Sequence, residues 1–167
     1  MDSEQEHLVA VHEAAHAVVR YWVGKQIGSA YGHTQTSLDT DPPCMKFRLT
    51  TIRLDRRTDP RARRRVEVDV MTLLAGPLAA QKAGSDKDGG RQDRDKAAGF
   101  AELHSRSNEA GVKRYLQLMT ERTQKVLDSP EVWDAIQALA AELLERRTIT
   151  WSRFKSIVQL QPCKVTP

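Results

Sequence analysis

Cysteine is scarce in this chain. Its two copies, Cys44 and Cys163, stand far apart among 167 residues. That excludes a disulfide framework and a paired-cysteine metal knuckle, and it fits a reducing, cytoplasmic setting. Aromatic residues make up 5% of the chain, too few to offer a base-stacking platform to single-stranded nucleic acid. No run of eighteen apolar residues occurs, so no transmembrane segment is expected. The opening residues, MDSEQEHL, are acidic where a secretory leader is basic and then apolar. No phosphate-binding GxxxxGKT loop is present either, so no ATP-driven work is expected of these residues.

What remains is the composition of a folded domain. The chain is 40% hydrophobic and 29% charged, and it is long enough to bury one core. The net charge of +4 is local in origin. Residues 56–65, RRTDPRARRR, carry six arginines and one aspartate, which leaves the rest of the chain at −1. This segment reads as a solvated loop and helix start, or as a docking patch for an acidic protein partner. Nucleic acid is the weaker alternative, because no aromatic side chain is interleaved with the arginines.

The periodicity predicts mostly helix. Ser3-x-x-Glu6 has the capping-box pattern and opens a helix to about Gly24. A loop rich in turn residues follows, and Met45–Leu54 has strand propensity. Thr58 or Asp59 caps a second helix with Pro60 in its first turn; its apolar stripe is Val66, Val70, Leu73, Leu74 and Leu78. Residues 84–91 read as a loop, and a third helix runs from near Gln92 toward His104. Val112, Leu116, Met119 and Val126 share a face of a long fourth helix. Ser129 caps a fifth helix with Val132, Ile136, Leu139 and Leu143 inward. Thr150 caps a short last helix holding Trp151, Phe154 and Ile157. Trp22, Trp133 and Trp151 read as packing residues. The expected fold is mainly α, with a small β element between the first two helices. We divide the single domain, 1–167, into the first helix (1–24), a loop and strand region (25–58), the second and third helices with their loop (59–105), and the C-terminal helices (107–160).

The informative segment is Leu8–Val19, LVAVHEAAHAVV, in which only His12, Glu13 and His16 are polar. Its apolar positions run nearly all the way round the helix, so most sides should be buried. Two imidazoles and a carboxylate are costly there without partners, and one metal ion would partner all three. Residues four apart lie on one face, so His12 and His16 can converge on one Zn²⁺. Glu13 is displaced from His12 by roughly 100° and can reach a water at the ion without being a ligand. Zinc lowers the pKa of such a water toward about 7, and Glu13 would act as its general base. The pattern is expected by chance in roughly 1% of shuffled chains of this kind. The chemistry is that of a helical zincin-like metallopeptidase.

A catalytic zinc normally takes three protein ligands, and the third is not adjacent. Neither a histidine at the spacing of HExxHxxGxxH nor a glutamate at that of a thermolysin-type helix follows. Candidates are Glu67, Asp69, Asp86, Asp88, Asp93, Asp95, Glu102 and His104. Periodicity favours Asp93 or Asp95, at the start of a helix after a Gly-rich loop, without choosing between them. His33 in its loop is a candidate for the cleft, and His7 should be exposed in the first turn. Cys44 reads as an unpaired, partly buried cysteine, the alternative being a thiolate in a fourth zinc position.

Four stretches together resemble the peptidase domain of the FtsH-type ATP-dependent zinc proteases. AVHEAAHAVV is similar to that family's HEAGH helix, and LLAGPLAAQ to its GGRAAEE helix. GGRQDRDKAAGFAEL is similar to TGASNDLxxAT, and LAAELLERRTITWSRFKSIV to its C-terminal helices. Order and intervals match over nearly the whole length. The resemblance implies Asp93 as the third zinc ligand, with Asp95 pointing elsewhere. It implies hydrolysis of unfolded or flexible polypeptides, with Glu13 as catalytic base and His12, His16 and Asp93 on zinc. Without a phosphate loop, a separate ATPase would supply unfolding. The family's hexameric rings leave homo-oligomerisation open here. The departures are Ala15 for the motif's glycine, Pro77, Leu78, Ala80 and Gln81 in the second helix, and a poorly matching 25–54. The alternative is a non-catalytic zinc-binding adaptor that docks a partner through the 56–65 arginines.

Overall fold

The computed structural model describes residues 2–26, 35–40, 43–46, 59–86, 90–104 and 108–159. Within them the order is α1 (Ser3–Gln26), β1 (Gln35–Ser37), β2 (Cys44–Lys46), α2 (Pro60–Lys82), α3 (Arg91–His104), α4 (Glu109–Leu127), α5 (Pro130–Arg146), β3 (Thr148–Thr150) and α6 (Trp151–Gln159). The expected mainly helical class is the one observed.

Helix α1 is the centre of the domain. It packs chiefly against α2 on one side and α5 on another, which is why its Ala10–Arg20 stretch is buried almost continuously, His12 alone being half-buried. The small side chains of Ala10, Ala14, Ala15 and Ala17, all fully buried, let neighbouring helices approach closely on several faces. Helix α2 is nearly as enclosed from Val66 to Ala79. It begins as expected: Asp59 is the N-cap and accepts the Arg61 N–H at 2.9 Å, with Pro60 next. Pro77 lies inside this helix, so the Leu73 carbonyl loses its i+4 donor.

The capping box is not formed. Asp2, not Ser3, precedes the first helical residue, and its carbonyl accepts the Glu6 N–H at 2.9 Å. The Glu6 carboxylate instead pairs with Arg147. His7 is half-buried rather than exposed, like its neighbours Glu6, Leu8 and Val9. At Ser129 the helix begins as expected, but its hydroxyl donates to Glu131 at 2.6 Å rather than capping a backbone N–H.

The β element is larger in sequence span than expected. Strand β1 falls in the segment expected to be loop. It pairs antiparallel with β2, Thr36 opposite Met45, and with β3, Thr36 opposite Ile149. The sheet order is β2-β1-β3, so it is not confined between the first two helices. A strand from the C-terminal third closes it, and a Ser37–Thr148 hydroxyl pair at 2.8 Å links the two. The expected strand at Met45–Leu54 begins one residue earlier, and its part beyond Lys46 lies outside the described residues.

The turn from α5 into β3 is made by Arg147, at φ 64°. A non-glycine residue in this region is strained by on the order of 1 kcal/mol or more. Several bonds hold it there. Its N–H donates to the Leu143 carbonyl and its own carbonyl accepts from Leu38 N–H, both at 2.8 Å, while its guanidinium binds Glu6 and Asp39. Behind the turn, α6 places Phe154, Ile157 and Val158 in the core, with the Trp151 and Phe154 rings stacked 5.0 Å apart.

Candidate metal centre

Two helices and the start of a third converge on one point. His12 and His16 stand on successive turns of α1, and Asp93 in the first turn of α3 reaches them. The His12 and His16 Nε2 atoms are 3.0 Å apart. Asp93 Oδ2 lies 3.1 Å from the first and 3.4 Å from the second. The three atoms form a nearly equilateral triangle. With zinc–ligand bonds of about 2.0–2.1 Å, tetrahedral geometry puts neighbouring ligand atoms about 3.3 Å apart. The triangle has the size of one face of such a shell.

The protonation pattern follows from the next layer out. His16 Nδ1 is 2.7 Å from the Thr72 carbonyl oxygen. A carbonyl only accepts, so Nδ1 carries the proton and, in the neutral ring, Nε2 carries the lone pair. A backbone partner of this kind orients a metal-binding histidine. Two inward nitrogens and a carboxylate at these distances repel one another unless a cation or a proton lies between them. Burial opposes the charge on His16, but Asp93, Glu13 and the Thr72 carbonyl outweigh it and raise its pKa above the usual value. Burial pushes His12 down, despite Asp93. Burial also works against the Asp93 charge, yet hydrogen bonds from both imidazoles hold its carboxyl well below the ordinary range. The donor set is therefore one that a divalent cation fits: two imidazoles, His16 held by the Thr72 carbonyl, and one carboxylate.

Glu13 is 7% exposed, and its ligand atoms come within 4.8 Å of those of both histidines. Burial pushes its pKa up to about 7, against the pull of His16 and a hydrogen bond from the Met45 backbone. A carboxyl poised near neutrality can take up and give back a proton at ordinary pH.

One turn along, α1 and α2 are joined by a buried ion pair. Arg20 Nη1 donates to Asp69 Oδ1 at 2.7 Å, with the side chains 3% and 0% exposed. His12, His16 and Arg20 are spaced by four on α1. Their α2 partners Thr72 and Asp69 are spaced by three and run the opposite way. The pair thus fixes the register in which Thr72 meets His16. Nothing in the sequence reading singled out Arg20. The signal was present, since a lone arginine on an otherwise apolar stretch of helix needs a buried acid.

Among the described residues, Asp95, Glu67, Asp69 and Glu102 have other surroundings. Asp95 is 73% exposed, 3.9 Å from Arg91. Glu67 faces Arg122 at 3.5 Å, Asp69 is taken by Arg20, and Glu102 is exposed. Asp86 is exposed on the wall of the cavity in front of the centre. His104 ends α3, and His33, Asp88 and Cys163 fall outside the described residues. Cys44 also lines that cavity; its Sγ is 3.3 Å from Thr40 Oγ1. Of the arginine patch, Arg61, Arg63, Arg64 and Arg65 are exposed on the first turns of α2, the expected helix start, and residues 56–58 lie outside the described residues.

The cavity measures about 870 Å³ and opens over His12, Glu13, His16 and Asp93. Leu8 and Val9 of α1, Met45 of β2 and Leu73 of α2 give it apolar walls, and Arg91 and Lys96 of α3 line another side. Its volume lies within the usual range of ligand sites, roughly 300–1,000 Å³. No helix among the described residues is long and apolar enough to cross a membrane. No protein-family model matches the chain, and no curated protein matches it.

Proposed function

We propose that this chain is a zinc-dependent endopeptidase with a zincin-like centre, similar to the peptidase domain of the FtsH-type proteases, acting on unfolded or flexible polypeptides. The observation that carries the reading is the triangle of His12 Nε2, His16 Nε2 and Asp93 Oδ2 with a buried, high-pKa Glu13 beside it. A structural zinc site has no use for a general base, and Glu13 is a buried acid with a free proton-accepting role.

His12, His16 and Asp93 would hold the ion. Zinc supplies Lewis acidity when bound, polarising a carbonyl and acidifying a water. Glu13 orients the attacking water, takes its proton, and returns that proton to the amine of the leaving half. Thr72 holds the His16 ring so that Nε2 faces inward throughout. Leu8, Val9, Met45 and Leu73 offer apolar contacts to the side chains of an extended segment laid beside the centre.

The test is removal and return of the metal. Unfolded casein should be cleaved by the zinc-loaded chain, cleavage should stop on exhaustive chelation, and stoichiometric zinc should restore it. Cleavage that persists in the fully chelated chain contradicts the proposal.

A further inference from the structure

The metal centre is bounded on one side by helix backbone rather than by side chains. Gly76 lies in the buried middle of α2. A Cβ at that position would sit 2.5 Å from His16 Nε2, 2.6 Å from His12 Nε2 and 2.6 Å from His16 Cε1. All three neighbours are atoms of the two imidazole rings at the centre. His16 is held at Nδ1 by Thr72 and is itself 4% exposed, so it has little room to swing aside. Any residue larger than glycine at 76 would therefore occupy the space beside the two nitrogens.

Gly90, the residue just before α3, is the counterpart. Its φ is +78°, and a Cβ there would run into the Pro77 ring and stand 3.1 Å from His12 Cε1. Its carbonyl accepts the Arg94 N–H at 3.1 Å, in the first turn of the helix that carries Asp93. The contact between Gly90 and Pro77 thus sets how closely Asp93 can approach the imidazoles.

We propose that Gly76 and Gly90 are positioning residues of the metal centre. Gly76 clears the space in which His12 and His16 converge, and Gly90 against Pro77 sets the approach of Asp93. The inference rests on the metal reading above, but its steric part stands on the chain alone. At Gly76, inside α2, helix propensity alone predicts the opposite sign, since alanine is the better helix former, whereas at Gly90 a φ of +78° strains alanine whatever the space. Gly99 supplies that comparison: it lies on an exposed position of α3, with open space where a Cβ would be.

The experiment uses the full chain with Gly76→Ala, Gly90→Ala and Gly99→Ala. Each is titrated with zinc against a chromophoric chelator, and each is melted without metal. Gly99→Ala should bind zinc as wild type does and melt no lower. Gly76→Ala should bind at least tenfold more weakly and melt lower, and Gly90→Ala should also lose affinity. Adding His12→Ala and His16→Ala to Gly76→Ala, which removes both rings that the new methyl meets, should recover the lost melting temperature. Wild-type zinc affinity in Gly76→Ala, or losses in melting temperature that simply add in the triple variant, would overturn the inference. Should Gly76→Ala fail to fold, the triple variant decides: a folded chain supports the proposal, and continued failure overturns it. A wild-type chain that binds no zinc counts against the metal reading instead, and the melting cycle still decides the steric claim.

Discussion

Arg20 and Asp69 are bound to each other at 2.7 Å in the interior, joining α2 to α1, the helix that carries His12 and His16 of the candidate metal centre. The pair sits one helical turn beyond His16 on α1 and three residues before Thr72 on α2. It is therefore the nearest fixed point from which the His16–Thr72 contact takes its register.

Breaking a buried ion pair by removing one partner typically costs about 3–5 kcal/mol. Asp69→Ala should lower the stability measured by denaturant unfolding by that order. Arg20→Leu combined with Asp69→Leu should recover much of the loss, since well-packed apolar residues often replace a buried ion pair without penalty. If Asp69→Ala unfolds at the wild-type midpoint, the clamp has no energetic role.

Asp93 and Asp95 differ in sequence by two positions and in the structure by their surroundings. Asp93 touches both imidazoles, while Asp95 is solvated. Asp93→Ala should lower zinc affinity by tenfold or more, and Asp95→Ala should leave it unchanged. Competition titration with a zinc chelator measures both. Equal effects, or a larger one at Asp95, would remove Asp93 from the site.

Glu142 staples α5 to α6 through Arg153 at 2.8 Å, with Arg146 also in contact. The hydrogen bond from Arg153, first, and then that from Arg146 hold its carboxyl below the ordinary value of 4.5. A depressed folded-state pKa contributes stability that is present above the unfolded value and lost as pH falls through the folded one. Between pH 6 and 3, wild type should therefore lose more melting temperature than Glu142→Gln. The difference should be small, as exposed ion pairs contribute about 0–1 kcal/mol. A parallel decline in both proteins would show that the staple carries no acid-labile stability.

Much of this was legible in the sequence where the cause is local. The burial of α1 follows from an almost unbroken apolar run around HExxH. The start of α2 follows from Asp59 and Pro60, and the inward face of α5 from the spacing of Val132, Ile136, Leu139 and Leu143. What failed to show depends on partners distant in the chain. Thr148–Thr150 is three residues long and is a strand because Gln35–Ser37 pairs with it. Glu6 left the capping box because Arg147 is available to it. Arg147 takes a turn that usually marks glycine, and no residue near it in sequence signals that. Asp69 entered the pool of possible ligands because a helical carboxylate looks the same in sequence whether it faces a metal or an arginine. The two histidines and Glu13 were legible because one helical turn contains them; Asp93 lies 81 residues from His12, and the sequence reading reached it through a resemblance rather than through spacing.

The most direct measurement compares wild type with Glu13→Gln on unfolded casein, with bound zinc counted in both. The substitution keeps the size of the side chain and removes its ability to accept a proton. Loss of a positioned general base typically costs about 10²–10⁴-fold in rate. The account predicts one zinc per chain in both proteins and a fall in cleavage of at least a hundredfold in the variant. Equal cleavage by the two, or zinc bound in both with cleavage by neither, would contradict it.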